Sequence, residues 1–252
     1  MSLGDLGTEG WALLIAAPVI GSFIGVLIRR LPSGQSILWS RSRCDGCGAA
    51  LTARDLVPLI SWMLARGRCR RCGYRLGWFY PAVEVAALIV VLIALAVDDM
   101  PRAALDCLFG WWLLTLSWID LRRWLLLDIL TLPLIVVGLT LATLLEPDTV
   151  LDRALGAALG YAALRALAIV YRVLRQREGL GRGDAKLLAA AGAWVGATAL
   201  PQVVLVAALA ALLAAAVLRL GGVRLHAHSA LPFGPFLALA TWTIWLGGPI
   251  SL

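Results

Sequence analysis

Charge is scarce in this chain. Of its 252 residues only 15% are Asp, Glu, Lys or Arg, where a soluble domain of ordinary composition carries about a quarter. Histidine is rarer still: His226 and His228 are the only two, and both sit in the loop before the last apolar run. That leaves no Ser/His/Asp constellation spread through the chain and reads more simply as a surface pair. Lysine occurs once, at Lys186, so the other bases are all arginines. Cysteine occurs five times, too seldom for a disulfide-built secreted scaffold of this length. No P-loop or dinucleotide fingerprint is present.

Apolar residues fill the space. They make up 61% of the chain, with mean hydropathy +0.88. A sphere of this size needs more polar cover than that, which excludes soluble globular and disordered classes. The apolar runs are long and continuous rather than alternating, so a membrane β-barrel is excluded as well. A polytopic all-α membrane protein is expected. The net charge of +7 brings no basic helix and no aromatic platform, so a nucleic-acid partner is not expected.

Eight spans are predicted, at about 10–28, 80–97, 102–121, 125–145, 150–171, 185–200, 201–218 and 232–249. The sixth is short, and its tight join to the seventh at Leu200-Pro201-Gln202 makes a helical hairpin. Basic and non-basic connections alternate. Arg29 to Arg75, Arg122-Arg123, Arg172 to Lys186, and Arg219 with Arg224 fall on one side. Asp98-Asp99, Glu146 to Asp152, and the uncharged 200–202 turn fall on the other. This is the positive-inside pattern, with both termini outside the cytoplasm and the long first loop cytoplasmic. Asp5 and Glu9 precede the first span and Arg29-Arg30 follow it, the reverse of a cleaved signal, so that span reads as an uncleaved anchor. Composition divides the chain into an N-terminal helix (1–29), a polar insert (30–79) and a seven-helix membrane domain (80–252).

The insert carries Cys44-Asp45-Gly46-Cys47 and Cys69-Arg70-Arg71-Cys72, each pair followed by a glycine. Two such knuckles present four thiolates in a tetrahedron, the pattern of a structural zinc (Zn2+) site with no open coordination position. A rubredoxin-like iron site would use the same ligands, and a pair of disulfides is disfavoured in reducing cytosol. Cys107, in the third span, reads as a small buried hydrophobe.

Ionisable residues inside spans are costly and point to function. Asp106 falls near the outer end of its span, where a wet interface accounts for it; Arg165 takes no defined role. Asp120 ends the third span and Asp184 begins the sixth, both at the inner face. Asp184 follows Gly181-Arg182-Gly183, where glycines allow close backbone approach. It reads either as a simple helix cap or as half of a catalytic pair. Two carboxylates at one depth can hold a water between them. One takes its proton as the oxygen attacks a peptide carbonyl, and the other, protonated, donates to the oxyanion.

The ordered set of motifs resembles the type IV prepilin peptidases, aspartic membrane proteases of the GxGD type. Gly21-Ser22-Phe23 through Arg30-Leu31-Pro32, the two cysteine pairs with Val57-Pro58-Leu59-Ile60-Ser61-Trp62 between them, and Tyr80-Pro81-Ala82-Val83-Glu84 carry the resemblance. So do Ile119-Asp120 through Leu127-Asp128, Gly181 to Leu188, and Pro232-Phe233-Gly234-Pro235. Gly25 stands where that family has Asn, and Leu127 where it has Pro. The resemblance implies that Asp120 and Asp184 are catalytic, with Gly181, Gly183, Lys186 and Asp128 in support. It implies cleavage of the basic leader of type IV prepilins or type II secretion pseudopilins after a glycine. It also implies N-methylation of the new terminus from S-adenosylmethionine, with Gly21 and Glu84 as candidate methyltransferase residues.

Three other readings compete. An ion- or proton-coupled transporter would place the acids at midplane on helices broken in both halves, whereas both acids here lie at one end beside a glycine loop. A presenilin- or signal-peptide-peptidase-like protease would have a tyrosine in the first motif, which here reads Trp118-Ile119-Asp120. A membrane scaffold without catalysis is the third.

Overall fold

The computed structural model describes residues 7–37, 41–176, 181–222 and 231–248. His226 and His228 lie outside the described residues. Long apolar runs with few breakers give long helices, and the described residues are helical apart from turns and two isolated bridges. The helices are α1 (Thr8–Arg30), α2 (Ile60–Leu64), α3 (Phe79–Val97), α4 (Arg102–Arg123), α5 (Asp128–Leu145), α6 (Val150–Arg175), α7 (Arg182–Val195), α8 (Leu200–Leu220) and α9 (Gly234–Gly247). All but α2 coincide with the eight expected spans. Six are long and apolar enough to cross a membrane by themselves. The other two, α7 and α9, have 14 residues each, roughly 21 Å at the helical rise, short of a hydrocarbon core of about 30 Å.

The chain forms two compact units, Met1–Thr115 and Leu116–Leu252, divided within α4. In the first, α1 packs on α3. A Cβ on Gly21 would lie 2.7 Å from the Glu84 Cα, so only glycine lets the two backbones cross this closely. Trp111 on α4 donates its indole N–H to the Ala87 carbonyl at 3.0 Å, joining α4 to α3. Asp106 is fully buried and pairs with Arg102 one turn earlier at 3.5 Å. The wet interface expected for it is therefore replaced by an ion pair along α4. Cys107 is buried, as expected.

The second unit is built around α7, whose residues from Leu187 to Trp194 are buried. It packs against α5, α6, α8 and α9. Gly156 and Gly160 of α6 face the α7 backbone directly, and a Cβ on Gly192 would run into the backbone of Gly156. Membrane helices gain little by excluding lipid, so such close contact supplies the association energy. Trp194 joins three helices. Its N–H donates to the Leu134 carbonyl on α5 at 2.9 Å, and its ring meets Trp245 of α9 edge-on at 5.2 Å. Arg153, buried on α6, pairs with Glu146 and lies over the Trp245 ring at 5.6 Å. That cluster of groups 92 residues apart was not evident in the sequence.

Candidate active site and metal centre

The aspartate site lies in the second unit. Asp120 is three residues from the end of α4, buried, and accepts the backbone N–H of Gly234 at 3.1 Å. A Cβ at Gly234 would sit 2.6 Å from the Asp120 Oδ2, so the approach needs glycine at the first residue of α9. Asp184 is the third residue of α7 rather than its cap. The cap is Gly181, and the Asp184 carboxylate reaches back to accept the Gly181 N–H. This is the acidic half of a capping box, and it fixes the carboxylate over the helix start. The charge of Asp120 acts on Asp184, so the two acids share one electrostatic site.

The connection between α4 and α5 shapes that site. Trp124 takes positive φ (57°) and donates its N–H to the Asp120 carbonyl at 2.8 Å, reversing the chain just after the aspartate helix. Leu126 then reaches both flanks. A Cβ on Gly183 would meet the Leu126 Cβ at 2.7 Å, and one on Gly234 would meet its Cδ1 at 3.4 Å. One leucine thus packs beside the residue before Asp184 and the residue holding Asp120. Nothing in its own chemistry advertised this; its position just before Leu127-Asp128 was the only signal. Asp128 and Lys186, expected separately as supporting residues, form one ion pair at 2.5 Å that ties the first residue of α5 to the second turn of α7.

The first unit holds the cysteine insert. Its knuckles are built alike. The Cys44 N–H donates to Ala49 and the Gly48 N–H to Cys44; the Cys69 N–H donates to Tyr74 and the Gly73 N–H to Cys69. Gly48 and Gly73 both take positive φ, 68° and 73°, which closes each turn. The four sulfurs lie within 4.8 Å of one another, with Cys44 and Cys72 at 3.8 Å. A tetrahedron of metal–sulfur bonds of about 2.3 Å has edges of about 3.8 Å, so the four cysteines fit a metal ion. Backbone N–H groups of Cys72 and Arg71 pull the Cys69 thiol down to about 7, while against a Tyr74 backbone hydrogen bond desolvation and the neighbouring thiols push Cys72 up, as four crowded thiols share their protons.

Two contacts tie the insert to the helices of its unit. Arg29, near the end of α1, forks onto Asp45 between the first cysteines at 2.9 Å to each oxygen and lies over the Tyr80 ring. Glu84, buried on α3, accepts the Leu59 N–H at 2.8 Å and a hydrogen bond from Ser22 of α1. A Cβ on Gly25 would meet the Tyr80 ring at 2.8 Å, so the tyrosine occupies the space a larger residue would take. Gly21 and Glu84 are thus engaged in a helix crossing and a tether.

A membrane-embedded pair of acids beside a glycine turn, joined in sequence to a four-cysteine insert, defines the class. The family model described as the bacterial peptidase A24 N-terminal domain matches residues 15–97, and that of the type IV leader peptidase family matches residues 107–216. The chain belongs to the type IV leader peptidase family. It is 38% identical over 267 residues to the prepilin leader peptidase/N-methyltransferase of Burkholderia pseudomallei (strain K96243), covering 95% of this chain and 86% of that protein. It is 36% identical to the protein of the same name from Aeromonas salmonicida (strain A449), covering 91% and 88%. The Dickeya chrysanthemi protein of that name is 38% identical over 91% of this chain and 89% of its own length. No solved structure matches the chain.

Proposed function

We propose that this protein is an intramembrane aspartic endopeptidase that removes the basic leader of type IV prepilins or type II secretion pseudopilins and N-methylates the exposed terminus. The observation that carries the peptidase reading is the shared electrostatic site of Asp120 and Asp184, each with a backbone N–H on its carboxylate. In this mechanism one acid is ionised and the other protonated when the water attacks. The ionised acid takes a proton from the bound water while its oxygen bonds to the scissile carbonyl carbon. The protonated acid donates to the oxyanion. As the tetrahedral diol collapses, one acid protonates the departing amine, the C–N bond breaks, and the other carboxylate takes back a diol hydroxyl proton, which leaves a carboxylic acid product and restores the singly protonated pair. Gly181, Gly183 and Gly234 permit close approach, and the Lys186–Asp128 pair holds the two helix starts in register. Nothing in the family or its relatives supports the transporter reading.

In this reading zinc occupies the four cysteines as a structural ion, since all four positions are filled by protein sulfur. S-adenosylmethionine supplies the methyl group when bound. Gly21 and Glu84, the candidate residues for that half of the activity, meet at the α1–α3 crossing, where Glu84 also holds the insert through Leu59. The insert and the inner-face aspartates lie on the cytoplasmic side of the inner membrane, with both termini periplasmic, as the arginine distribution requires. The division into 1–29, 30–79 and 80–252 is kept as a functional one: anchor, metal insert, catalytic helices. The test is to incubate purified protein in liposomes with a prepilin-like peptide, with and without S-adenosylmethionine, and weigh the products. Cleavage after the leader glycine in both, and one added methyl group only with the donor, is expected. An intact peptide would refute the peptidase reading, and an unmethylated product would refute the second activity.

A further inference from the structure

Helix α2 is too short to be stable by itself and has no buried residue. Its Ile60, Met63 and Leu64 stand at positions i, i+3 and i+4, one face of a helix, and are 57%, 67% and 73% exposed. Leu56 and Val57 just before it and Trp78 at the start of α3 are exposed as well. An insert with so little apolar material leaves these side chains uncovered, which calls for an external partner.

The depth of α2 says what that partner is. Leu59 sits at positive φ (57°), in a tight turn where the Ile60 N–H reaches the Pro58 carbonyl at 2.5 Å. Its own N–H is held by Glu84. Glu84 is the sixth residue of a 19-residue candidate span, roughly 8 Å along its axis from the first. The start of α2 is therefore pinned beside the end of a membrane-crossing helix, inside its length and not beyond it. Exposed arginines flank the apolar face, Arg54 on one side and Arg66 and Arg68 on the other. Trp62 packs on Trp78 at 4.3 Å and donates its N–H to the Gly77 carbonyl, the amphipathic arrangement favoured at a lipid–water boundary.

We propose that α2 is an interfacial membrane element. Ile60, Met63 and Leu64 enter the acyl boundary of the bilayer, and Arg54, Arg66 and Arg68 meet the phosphates of phospholipid headgroups. The insert is then seated by lipid as well as by its metal.

The full-length protein in phospholipid nanodiscs tests this, with p-benzoylphenylalanine placed at Met63, at Leu64, or at exposed Ala53 as control. Only preparations that retain the metal are compared. After irradiation, phospholipid adducts at 63 and 64 should exceed those at 53 by about fivefold or more. Equal yields at all three sites, or adducts at 63 and 64 only to protein, whether this chain, a second copy or an added prepilin-like peptide, would overturn the proposal. The wild-type protein gives a second readout free of any variant. Under hydroxyl-radical footprinting, Met63 should oxidise more slowly than Met100, although Met63 is the more exposed within the chain. Faster oxidation of Met63 would place the face in water and refute the inference.

Discussion

The two units hold their chemistry in place by opposite means. The insert in the first unit buries one cysteine and little else, and its shape comes from two knuckles, four sulfurs and two polar tethers. The aspartate unit has one polar tether at its site, the Lys186–Asp128 pair, and relies otherwise on packing. There, glycines bring backbones together, and a buried α7 carries Asp184 on its first turn. The contrast teaches where each region is vulnerable. The insert is most sensitive to loss of a ligand, and the aspartate unit to one added methyl group at its backbone crossings.

The largest effect on folding should come from Gly192→Ala. Its new Cβ meets the Gly156 backbone, which cannot rotate away, and a loss of about 3 kcal/mol is expected. Thermal unfolding in detergent reads this, and the metal content should not change. If the variant melts like wild type, close glycine packing is not what holds α6 to α7. Next is metal removal. A strong chelator should raise tryptic cleavage within residues 41–78 by about tenfold while the helical circular dichroism persists. An unchanged digestion pattern would show that the insert folds without an ion. Glu84→Leu should cost about 1–2 kcal/mol by leaving the Leu59 N–H without its acceptor. Amide exchange at Leu59 should quicken, and exchange at Ala185 should not.

Asp55 should give the smallest change. Thr52 donates its N–H and hydroxyl to this carboxylate, at 3.0 and 2.7 Å, and the pair of bonds lowers the Asp55 pKa below its ordinary value. A depressed folded-state pKa contributes stability above the unfolded value, and this is lost as pH falls through the folded one. The wild-type insert should therefore loosen slightly on acidification into that range. Asp55→Asn should remove that component of the pH dependence, read as the difference between wild type and variant in susceptibility to pepsin, which is active at acid pH.

Much of this was legible before any coordinates. Eight helices, six of them long enough to span, followed from apolar runs and alternating arginines, because a bilayer imposes length and charge on sequence directly. The cysteine site followed from spacing, since a tetrahedral ion demands paired ligands on tight turns. The two acids stood out because charge inside a span is expensive. What escaped notice depends on contacts between distant residues. The Lys186–Asp128 pair joins positions 58 apart, and Leu126 touches glycines on two other helices. A five-residue helix such as α2 is too short for periodicity to reveal. Asp106 looked solvated from its place near a helix end, yet burial and Arg102 decide its surroundings.

The central claim is that Asp120 and Asp184 hydrolyse the leader together, and the nearly isosteric variants Asp120→Asn and Asp184→Asn test it most directly. Each, assayed against a prepilin-like peptide with melting temperature and metal content as controls for folding, should cleave at least about a thousandfold more slowly than wild type, and the double variant should be little worse than either. If either single variant, folded and metal-loaded, cuts at the wild-type rate, the paired-acid mechanism is wrong.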